Sequence, residues 1–313
     1  MAVVRWEPFR DLLSLQERMN RMFDESFRAR GGTEDEWSLG GSWAPAVDIF
    51  EQDGNIATVS FANGASAQAD LIIGADGIHS ELRPYVYASS EPVFSGSVAY
   101  RGLVPHERVP DWPTDRWQMW LGTGRHFLAF PVRAGKLINY VGFVPSDKEM
   151  KESWTAPGDP DVLRRAFAGW DPRIHQLLNK VQQTFRWALY DREPLPIWTS
   201  KRLTLLGDAA HPMLPHLGQG ANQSIEDGMA LATILAHADR ASAPQALLAY
   251  ERLRRERVAQ VQRGARENGL RYDSAYSDLG VRDAEITAHA AFRKRLYDHD
   301  VVPDAQAAAA ALT

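Results

Sequence analysis

The alternation of apolar and polar positions divides the first part of the chain into a helical segment and a hairpin. Apolar residues recur at steps of three and four across residues 8–28, which predicts an amphipathic helix with Pro8 in its first turn. Ile56 to Phe61 alternates as a strand, Asn63-Gly64 is a hairpin turn signal, and Ala69 to Ile73 predicts the second strand. The pattern therefore predicts a helical arm followed by a β-hairpin.

Between residues 92 and 195 the chain lacks a regular alternation of helix and strand patterns. Short runs rich in aromatic and β-branched residues predict a largely antiparallel sheet instead. Two helices, at about 160–168 and 174–181, interrupt it. The predicted strands are Val98 to Leu103, Arg116 to Leu121, Phe127 to Val132, Ile138 to Val144 and Phe185 to Tyr190.

The third group of segments begins with a short apolar run, Leu203 to Leu206, which a Gly-Asp pair stops at once. This pattern predicts a buried strand. After a loop with two prolines and two glycines, residues 223–236 predict a helix, whose N-terminus would offer unpaired N–H groups to an anion. A long charged helix, with a solvated Glu/Arg-rich face, is predicted from Ser242 to Asn268-Gly269.

Composition excludes several classes of function. The 313 residues include 35 Lys and Arg against 40 Asp and Glu, so the net charge is −5 and nothing indicates nucleic acid. The absence of cysteine excludes disulfides and thiol catalysis. No apolar run is long enough to span a membrane, and we expect a cytoplasmic protein. The sequence does not indicate an oligomeric state. His211 and His216 lack a third ligand at a suitable spacing, so no metal site is predicted.

The strongest chemical signal is the string GDAAHP at Gly207, followed by Pro215 and by GQGANQ at Gly218. Glycines of this kind can also serve tight turns alone. The whole string resembles the second FAD-binding signature of the flavin-dependent aromatic hydroxylases, most closely the salicylate-hydroxylase type. The resemblance implies that Asp208 holds the ribitol of FAD and that the glycine-rich helix start lies against the flavin. The expected cofactor-binding residues are Gly207, Asp208, Pro215, Gly218, Gln219, Gly220, Ala221 and Asn222.

A second string, GADGIHSELR from Gly74 to Arg83, resembles the middle signature of the same hydroxylases. Taken alone it is an ordinary strand followed by an Asp-Gly turn. The resemblance implies that Asp76, Gly77 and Arg83 serve both FAD and the nicotinamide donor. FAD is therefore the expected cofactor and NAD(P)H the expected co-substrate.

One histidine is a candidate for catalysis. His126 opens the third predicted strand, where a lone histidine is more often a hydrogen-bonded structural residue. The alternative is that His126 takes the proton of a phenolic substrate, because imidazole titrates near neutral pH. Phe130 stands four residues on, where related ring hydroxylases often have a polar aromatic residue. The expected substrate is a small aromatic molecule.

The N-terminal 51 residues carry a different resemblance. Val4 to Phe23 is similar to the N-terminal arm of bacterial small heat-shock proteins, and Trp43 to Glu51 to the entry of their first core strand. The chain also contains no Gly-x-Gly-x-x-Gly turn, with which the resembled hydroxylases bind the pyrophosphate. Together these imply a chimeric chain, in which a heat-shock-like arm joins the later part of a flavin hydroxylase near Gln52 to Asn55. They also imply little or no monooxygenase activity. The alternatives are a chaperone-like assembly protein or a chimeric reading frame without function.

The predicted fold class is mixed α/β: an incomplete FAD-binding Rossmann-like domain and an antiparallel-sheet substrate domain, preceded by an amphipathic helical arm. The Ala-rich run Ala305 to Ala311 predicts a frayed helix or tail. The predicted segments are an arm and linker over 1–52, a residual FAD/NAD(P)H-binding segment over 53–91, the substrate domain over 92–195, an FAD-binding segment with the long helix over 196–270, and a C-terminal tail over 271–313.

Overall fold

The computed structural model describes residues 47–52, 56–61, 63–88, 91–147 and 156–312. They all belong to one compact unit, Trp43–Thr313, and the other unit is Met1–Ser42. The predicted helix over 8–28 and the linker after it lie outside the described residues. Within the described ranges, no helix has the length and apolar character needed to cross a membrane.

The hairpin at the start is part of a three-stranded antiparallel sheet in the order β1-β2-β3, formed by Val47–Gln52, Ile56–Phe61 and Ser66–Ala69. The prediction of one strand from Ala69 to Ile73 was wrong. The chain leaves β3 at Ala69 and enters a different sheet as β4, Ile72–Gly74. A local pattern of apolar residues cannot show this change, because both halves are extended and only their partner strands differ.

A six-stranded antiparallel sheet forms the middle of the chain, as its aromatic and β-branched runs predict. Helices α1, Pro160–Ala166, and α2, Pro172–Leu178, cover one face, and each starts at an aspartate side chain that accepts a backbone N–H. The strand order is β6-β7-β8-β5-β10-β9. The strands are β5 Val93–Pro105, β6 Gln118–Gly122, β7 Arg125–Val132, β8 Leu137–Pro145, β9 Pro157–Gly158 and β10 Thr184–Asp191.

Period-two alternation gives the two faces of this sheet different partners. Phe127 and Ala129 on β7 pack in the core beneath α1 and α2. His126 and Leu128 point to the opposite face. Phe143 on β8 lies opposite His126 in the β7–β8 register. On that face it packs with residues of the long helix Ala243–Tyr272. The strand register therefore decides which side chains of β7 are available to a ligand.

A small sheet in the order β11-β12-β4 contains Thr199–Ser200, Leu203–Leu205 and β4, with β12 and β4 parallel. It packs against helices α3, Gly220–Leu235, and α4, Ala243–Tyr272. The predicted tail after residue 270 is instead largely helical. Three helices follow, α5 Leu279–Ala288, α6 Ala290–Tyr297 and α7 Val301–Ala310.

The Ala-rich helix α7 is packed rather than frayed, so that prediction was wrong. Val301, Ala305 and Ala309 are buried, and two of them join the core formed by α3 and α4. Small side chains at a spacing of four allow helices to approach closely. An interpretation based only on the high alanine content misses this spacing.

Candidate functional site

The two predicted signature turns lie at the same edge of the small parallel sheet. Leu205 on β12 is in register with Gly74 on β4, and the Leu206 N–H donates to the Gly74 carbonyl at 2.9 Å. Each signature turn follows the carboxyl end of its strand. Asp76 and Asp208 are therefore brought to one edge, which is where open α/β sheets bind ligands.

The first turn is stabilised by its own aspartate. The exposed Asp76 side chain accepts hydrogen bonds through Oδ2 from the N–H groups of Glu81 and Leu82, at 2.8 and 3.2 Å. Gly77 has a φ of 82°, a conformation that favours glycine. Asp76 therefore has a structural task besides the cofactor contact that was predicted for it.

Arg83 connects the two turns. Its side chain is buried, and Nη1 donates to the carbonyl oxygens of Ala209 and Ala210 at 2.9 and 3.1 Å. Burial lowers the pKa of the Arg83 guanidinium to about 10, and the nearby Arg192 adds to the effect. The buried Arg83 side chain therefore stabilises the second turn by binding its carbonyl groups. The sequence resemblance does not indicate this role.

The second turn rests on a group of buried and partly buried polar side chains that we call the buried charge network: His211, Glu226, Asp227, Arg254 and Arg257. Asp227 Oδ2 accepts from the Gly207 N–H at 3.1 Å and pairs with His211 Nε2 at 2.5 Å, while Oδ1 accepts from Arg254 Nε at 2.8 Å. Burial alone would raise the pKa of Asp227, but contacts with His211 and Arg254 outweigh it and lower the pKa. Asp227 therefore stays ionised and fixes the turn that carries Asp208.

Arg254 was missed by the sequence interpretation, which assigned the charged residues of α4 to a solvated face. Its side chain is 0% exposed and also donates to Glu226 Oε2 at 2.6 Å and to Gln223 Oε1 at 2.9 Å. All of its partners lie on α3, about thirty positions away in the chain. No local pattern distinguishes this arginine from its solvated neighbours on α4.

The start of α3 keeps features that suit a bound anion or a polar ring edge. Gly218 adopts a φ of 62°, and no side chain of the described residues caps the first turn of the 16-residue helix. Gln219 is 1% exposed, and its Nε2 has no hydrogen-bond partner in the described part of the chain. Asp208 is exposed beside the helix start, 4.0 Å from the position that a Cβ on Gly220 would occupy. This donor-rich cradle fits the flavin that the signature predicts, with Ala221 and Asn222 exposed on the first turn.

A cleft of about 550 Å³ lies between this turn and the six-stranded sheet, and we call it the aromatic cleft. Pro215, His216 and Gly218 contribute from the side of the turn, and Met119, His126, Leu128, Phe130 and Phe143 from the sheet. The remaining lining residues include Arg116, Trp117, Tyr272 and Tyr297. The cleft thus brings together the predicted catalytic candidate and two of the predicted cofactor-binding residues, Pro215 and Gly218.

His126 is almost enclosed in this cleft. Its side chain is 1% exposed and stacks on Phe143 with 4.1 Å between ring centroids. The rings of His216 and Tyr272 lie 5.3 Å away by the same measure. Its Nδ1 lies 2.7 Å from Oδ1 of Asp273, a residue that the sequence interpretation did not select. The partner is 147 positions away, so no sequence motif connects the two.

His216 is a neutral group in the same wall of the cleft. Burial, with a contribution from the nearby His126, lowers the pKa of His216 to about 3. Its ring lies against Gly269, where an added Cβ would overlap ring atom Cδ2 and approach Nε2 to 2.7 Å. The predicted end of α4 at Asn268-Gly269 was therefore wrong. Glycine at this helix position makes room for a ring, and the helix continues to Tyr272.

The comparisons with known proteins agree on one family. The sequence model described as FAD binding domain matches residues 16–265. Its start lies inside the segment interpreted as a heat-shock-like arm. Among curated relatives, the 3-amino-4-hydroxybenzoate 2-monooxygenase of Streptomyces platensis is 42% identical over 225 residues, 72% of this chain and 56% of its own length. The salicylate hydroxylase of Pseudomonas putida is 38% identical over 287 residues, 84% of this chain and 66% of its own length.

Solved structures match in the same way. A salicylate hydroxylase substrate complex superposes with a TM-score of 0.75 at 32% identity, covering 84% of this chain and 69% of that one. The HpxO protein of Klebsiella pneumoniae, complexed with FAD and uric acid, gives 0.65 at 28% identity, covering 86% and 66%. The chain spans a little over half the length of the first curated relatives that it matches.

Proposed function

The chain belongs to the FAD binding domain family, in its branch of FAD-dependent aromatic monooxygenases, and we propose that it hydroxylates a phenolic or hydroxybenzoate-type ring at the expense of NAD(P)H. The observation that carries the proposal is the aromatic cleft, which joins His126 to the Pro215–Gly218 loop. A flat apolar ring fits between aromatic side chains, and the signature loop would hold the flavin beside it.

The residues that would hold FAD are those at the sheet edge and the start of α3. Asp208 would accept hydrogen bonds from the ribitol hydroxyls. The uncapped N–H groups after Gly218, together with the unpartnered amide of Gln219, would face the polar edge of the flavin. When bound, FAD would accept electrons from NAD(P)H and deliver one oxygen atom of O₂ to the substrate ring.

His126 would supply the proton chemistry. A phenolic ring becomes more electron-rich when its hydroxyl loses a proton, so a base beside that hydroxyl favours attack by the ring. The Nδ1 of His126 faces Asp273, which leaves Nε2 to accept the phenolic proton. Phe143 and the other rings would shield the reacting face from water once a substrate fills the cleft.

The test is hydroxylation by the purified full chain. FAD is titrated into the protein by flavin fluorescence, and NADH or NADPH oxidation is then followed with salicylate, hydroxybenzoates and 3-amino-4-hydroxybenzoate. We expect a substrate-dependent hydroxylated product, and H126Q should bind FAD as the wild type does but lose most of the product. Hydroxylation at the wild-type rate by H126Q would contradict the role of His126, and flavin binding without any ring-dependent product would contradict the proposed substrate class.

We also expect weak FAD binding and low activity from this chain. The 313 residues contain no Gly-x-Gly-x-x-Gly turn for the pyrophosphate. Each missing charge-assisted contact costs about 1.5–3 kcal/mol, so several would weaken FAD binding by orders of magnitude. Micromolar or tighter FAD binding with stoichiometric hydroxylation would contradict this expectation. NAD(P)H oxidation that yields mostly hydrogen peroxide and only a small amount of hydroxylated product would agree with it.

The small-heat-shock-like alternative remains a prediction. It depends on residues 1–51, of which 1–46 lie outside the described residues, and the family match overlaps this segment from residue 16. Large uniform oligomers in size-exclusion chromatography that suppress aggregation of a client protein would favour it. A deletion of residues 1–42 should then abolish that suppression, whereas FAD binding should be unaffected.

A further inference from the structure

The hydrogen bond between His126 and Asp273 joins two parts of the chain that share no sequence motif. His126 is on β7 of the six-stranded sheet, and Asp273 follows the last turn of α4. The same aspartate accepts, through its backbone carbonyl, the N–H of Gly124 at 2.7 Å. Gly124 forms the turn between β6 and β7 with a φ of 70°. Two hydrogen bonds therefore tie the β6–β7 hairpin to the end of α4.

The geometry specifies which ring nitrogen of His126 carries hydrogen. Nδ1 and Oδ1 of Asp273 are 2.7 Å apart, and an ionised carboxylate can only accept a hydrogen bond. Nδ1 must therefore be the donor, and in the neutral ring Nε2 is left with its lone pair. No hydrogen bond reaches Nε2 from the part of the chain that the structure describes. The ring is also held by the stack on Phe143, so it cannot turn freely.

The other groups around His126 do not compete for Nδ1. His216 is kept neutral, because burial lowers its pKa, and Tyr272 contacts the ring through its own ring. The side chain of Arg271, the residue before Tyr272, contacts Asn268 Oδ1 and Glu285 instead. Asp273 is thus the only carboxylate bonded to His126 among the described residues. Its side chain is 24% exposed, so it remains hydrated while the histidine is enclosed.

We propose that Asp273 is the positioning residue of His126: it holds the imidazole in the Nδ1–H form and turns Nε2 into the aromatic cleft as a proton acceptor for a phenolic substrate. This rests on the proposed function for the identity of the proton donor, but the assignment of the tautomer does not. The carboxylate also stabilises the imidazolium that forms when Nε2 takes up the proton. In this pair His126 is shielded from water, whereas Asp273 stays in contact with water.

The decisive experiment measures the tautomer directly in the full-length chain. Protein labelled with ¹⁵N-histidine is examined by two-bond ¹H–¹⁵N NMR correlations near neutral pH without FAD, and the His126 signals are assigned with H126Q. The wild type should show hydrogen on Nδ1. D273N should lose that preference, because an amide can also donate, whereas D273E should keep it. The matched control D298N removes an exposed carboxylate that pairs with Lys294 and should leave the His126 signals unchanged.

Activity supplies the second readout where the chain hydroxylates a substrate. D273N should lower kcat by about tenfold or more, with a smaller change in KM, and D273E should restore part of it. Hydrogen on Nε2 of His126 in the wild type would overturn the proposal. So would an unchanged tautomer in a folded D273N. If D273N does not fold, as judged by its thermal unfolding, the wild-type and D273E tautomers decide. A chain without hydroxylase activity refutes the proposed function but leaves this test intact.

Discussion

The Gly207–His211 turn and the strand around His126 hold their side chains by different forces. Behind the turn, every oxygen of Asp227 and three nitrogens of Arg254 make hydrogen bonds in a region closed to water. Around His126, ring packing predominates, and among the described residues the ring makes one polar contact, to Asp273. The turn presents its backbone and Asp208 rigidly, whereas Nε2 of His126 has no hydrogen-bond partner in the part of the chain that the structure describes.

The difference follows from what each region has to do. A buried charge network defines one backbone geometry, because each unpaired charge would be costly away from water. An aromatic wall tolerates a ring-shaped ligand, because dispersion and apolar contact require no defined partner atoms. Substitutions in the two regions should therefore have effects of different size and kind.

The largest effect is expected from breaking the buried charge network. Arg254→Met removes the arginine that bridges Asp227 and Glu226 and leaves them with His211 and Arg257 as their remaining charged partners, and we expect a loss of about 3–5 kcal/mol in the free energy of unfolding. Urea denaturation measures it. Arg263→Met is the matched control on the same helix, because Arg263 is half exposed and its one ion pair among the described residues is with Glu256. This variant should change stability by less than about 0.5 kcal/mol. Similar losses in both variants would show that the buried charge network stabilises the protein no more than an exposed ion pair does.

Overfilling the contact between α4 and the aromatic cleft should come next. Gly269→Ala places a Cβ on the ring of His216, and overpacking of this kind costs about 1–3 kcal/mol. The His216 and His126 NMR signals should shift as the rings move. Gly228→Ala on α3 places its new Cβ more than 4 Å from every described residue outside the adjacent helix backbone, and should be neutral or stabilising. Equal destabilisation in the two variants would contradict the specific contact.

The pH dependence of stability should distinguish the two regions. The pKa of His216 falls from 6.5 to about 3 on folding, so the unfolded chain binds its proton more tightly. The stability associated with neutral His216 is complete above pH 6.5 and is lost as the pH falls toward 3. The expected slope is up to about 1.4 kcal/mol per pH unit in that range. Asp227, with a pKa lowered from 3.8, loses its contribution only at the acid end.

The control for this prediction is His216→Gln, which carries no titrating group. The pH dependence of unfolding between pH 6 and pH 4 should become flatter in this variant. His289 and His299, whose pKa values are also lowered, mainly by burial, remain in both proteins, so the difference isolates His216. An unchanged slope would mean that His216 is not protected from protonation in the folded protein.

The smallest effect is expected at the exposed first turn. Asp76→Ala removes two hydrogen bonds to backbone N–H groups, and because the side chain is exposed we expect a loss of only about 1 kcal/mol. Asp76→Asn should retain part of the stability, since the amide oxygen can still accept. If FAD binding falls much more than stability in Asp76→Ala, the predicted cofactor contact is supported. Parallel changes would indicate a structural role alone.

How far the sequence alone leads differs between the elements. The antiparallel character of residues 92–195, the strand before Gly207 and the helix after Gly218 all follow from local patterns of apolar residues and glycine. The change of sheet between Ala69 and Ile72, the packed α7 and the continuation of α4 past Gly269 do not. Each of these depends on a partner far away in the chain, whereas local patterns report only burial and backbone preference.

The sequence by itself determined the kinds of turn, because glycines and an aspartate after a strand restrict what the backbone can do locally, and its resemblance to the flavin hydroxylases identified the residues of the two signatures. Only the tertiary structure decided that Arg83 and Arg254 hold the Gly207 turn from behind, and that Asp273 faces His126 across 147 positions. A charged side chain looks the same in sequence whether it is solvated or buried. Its role is set by the groups that the fold places within about 3 Å of it, since hydrogen bonds act only at that range.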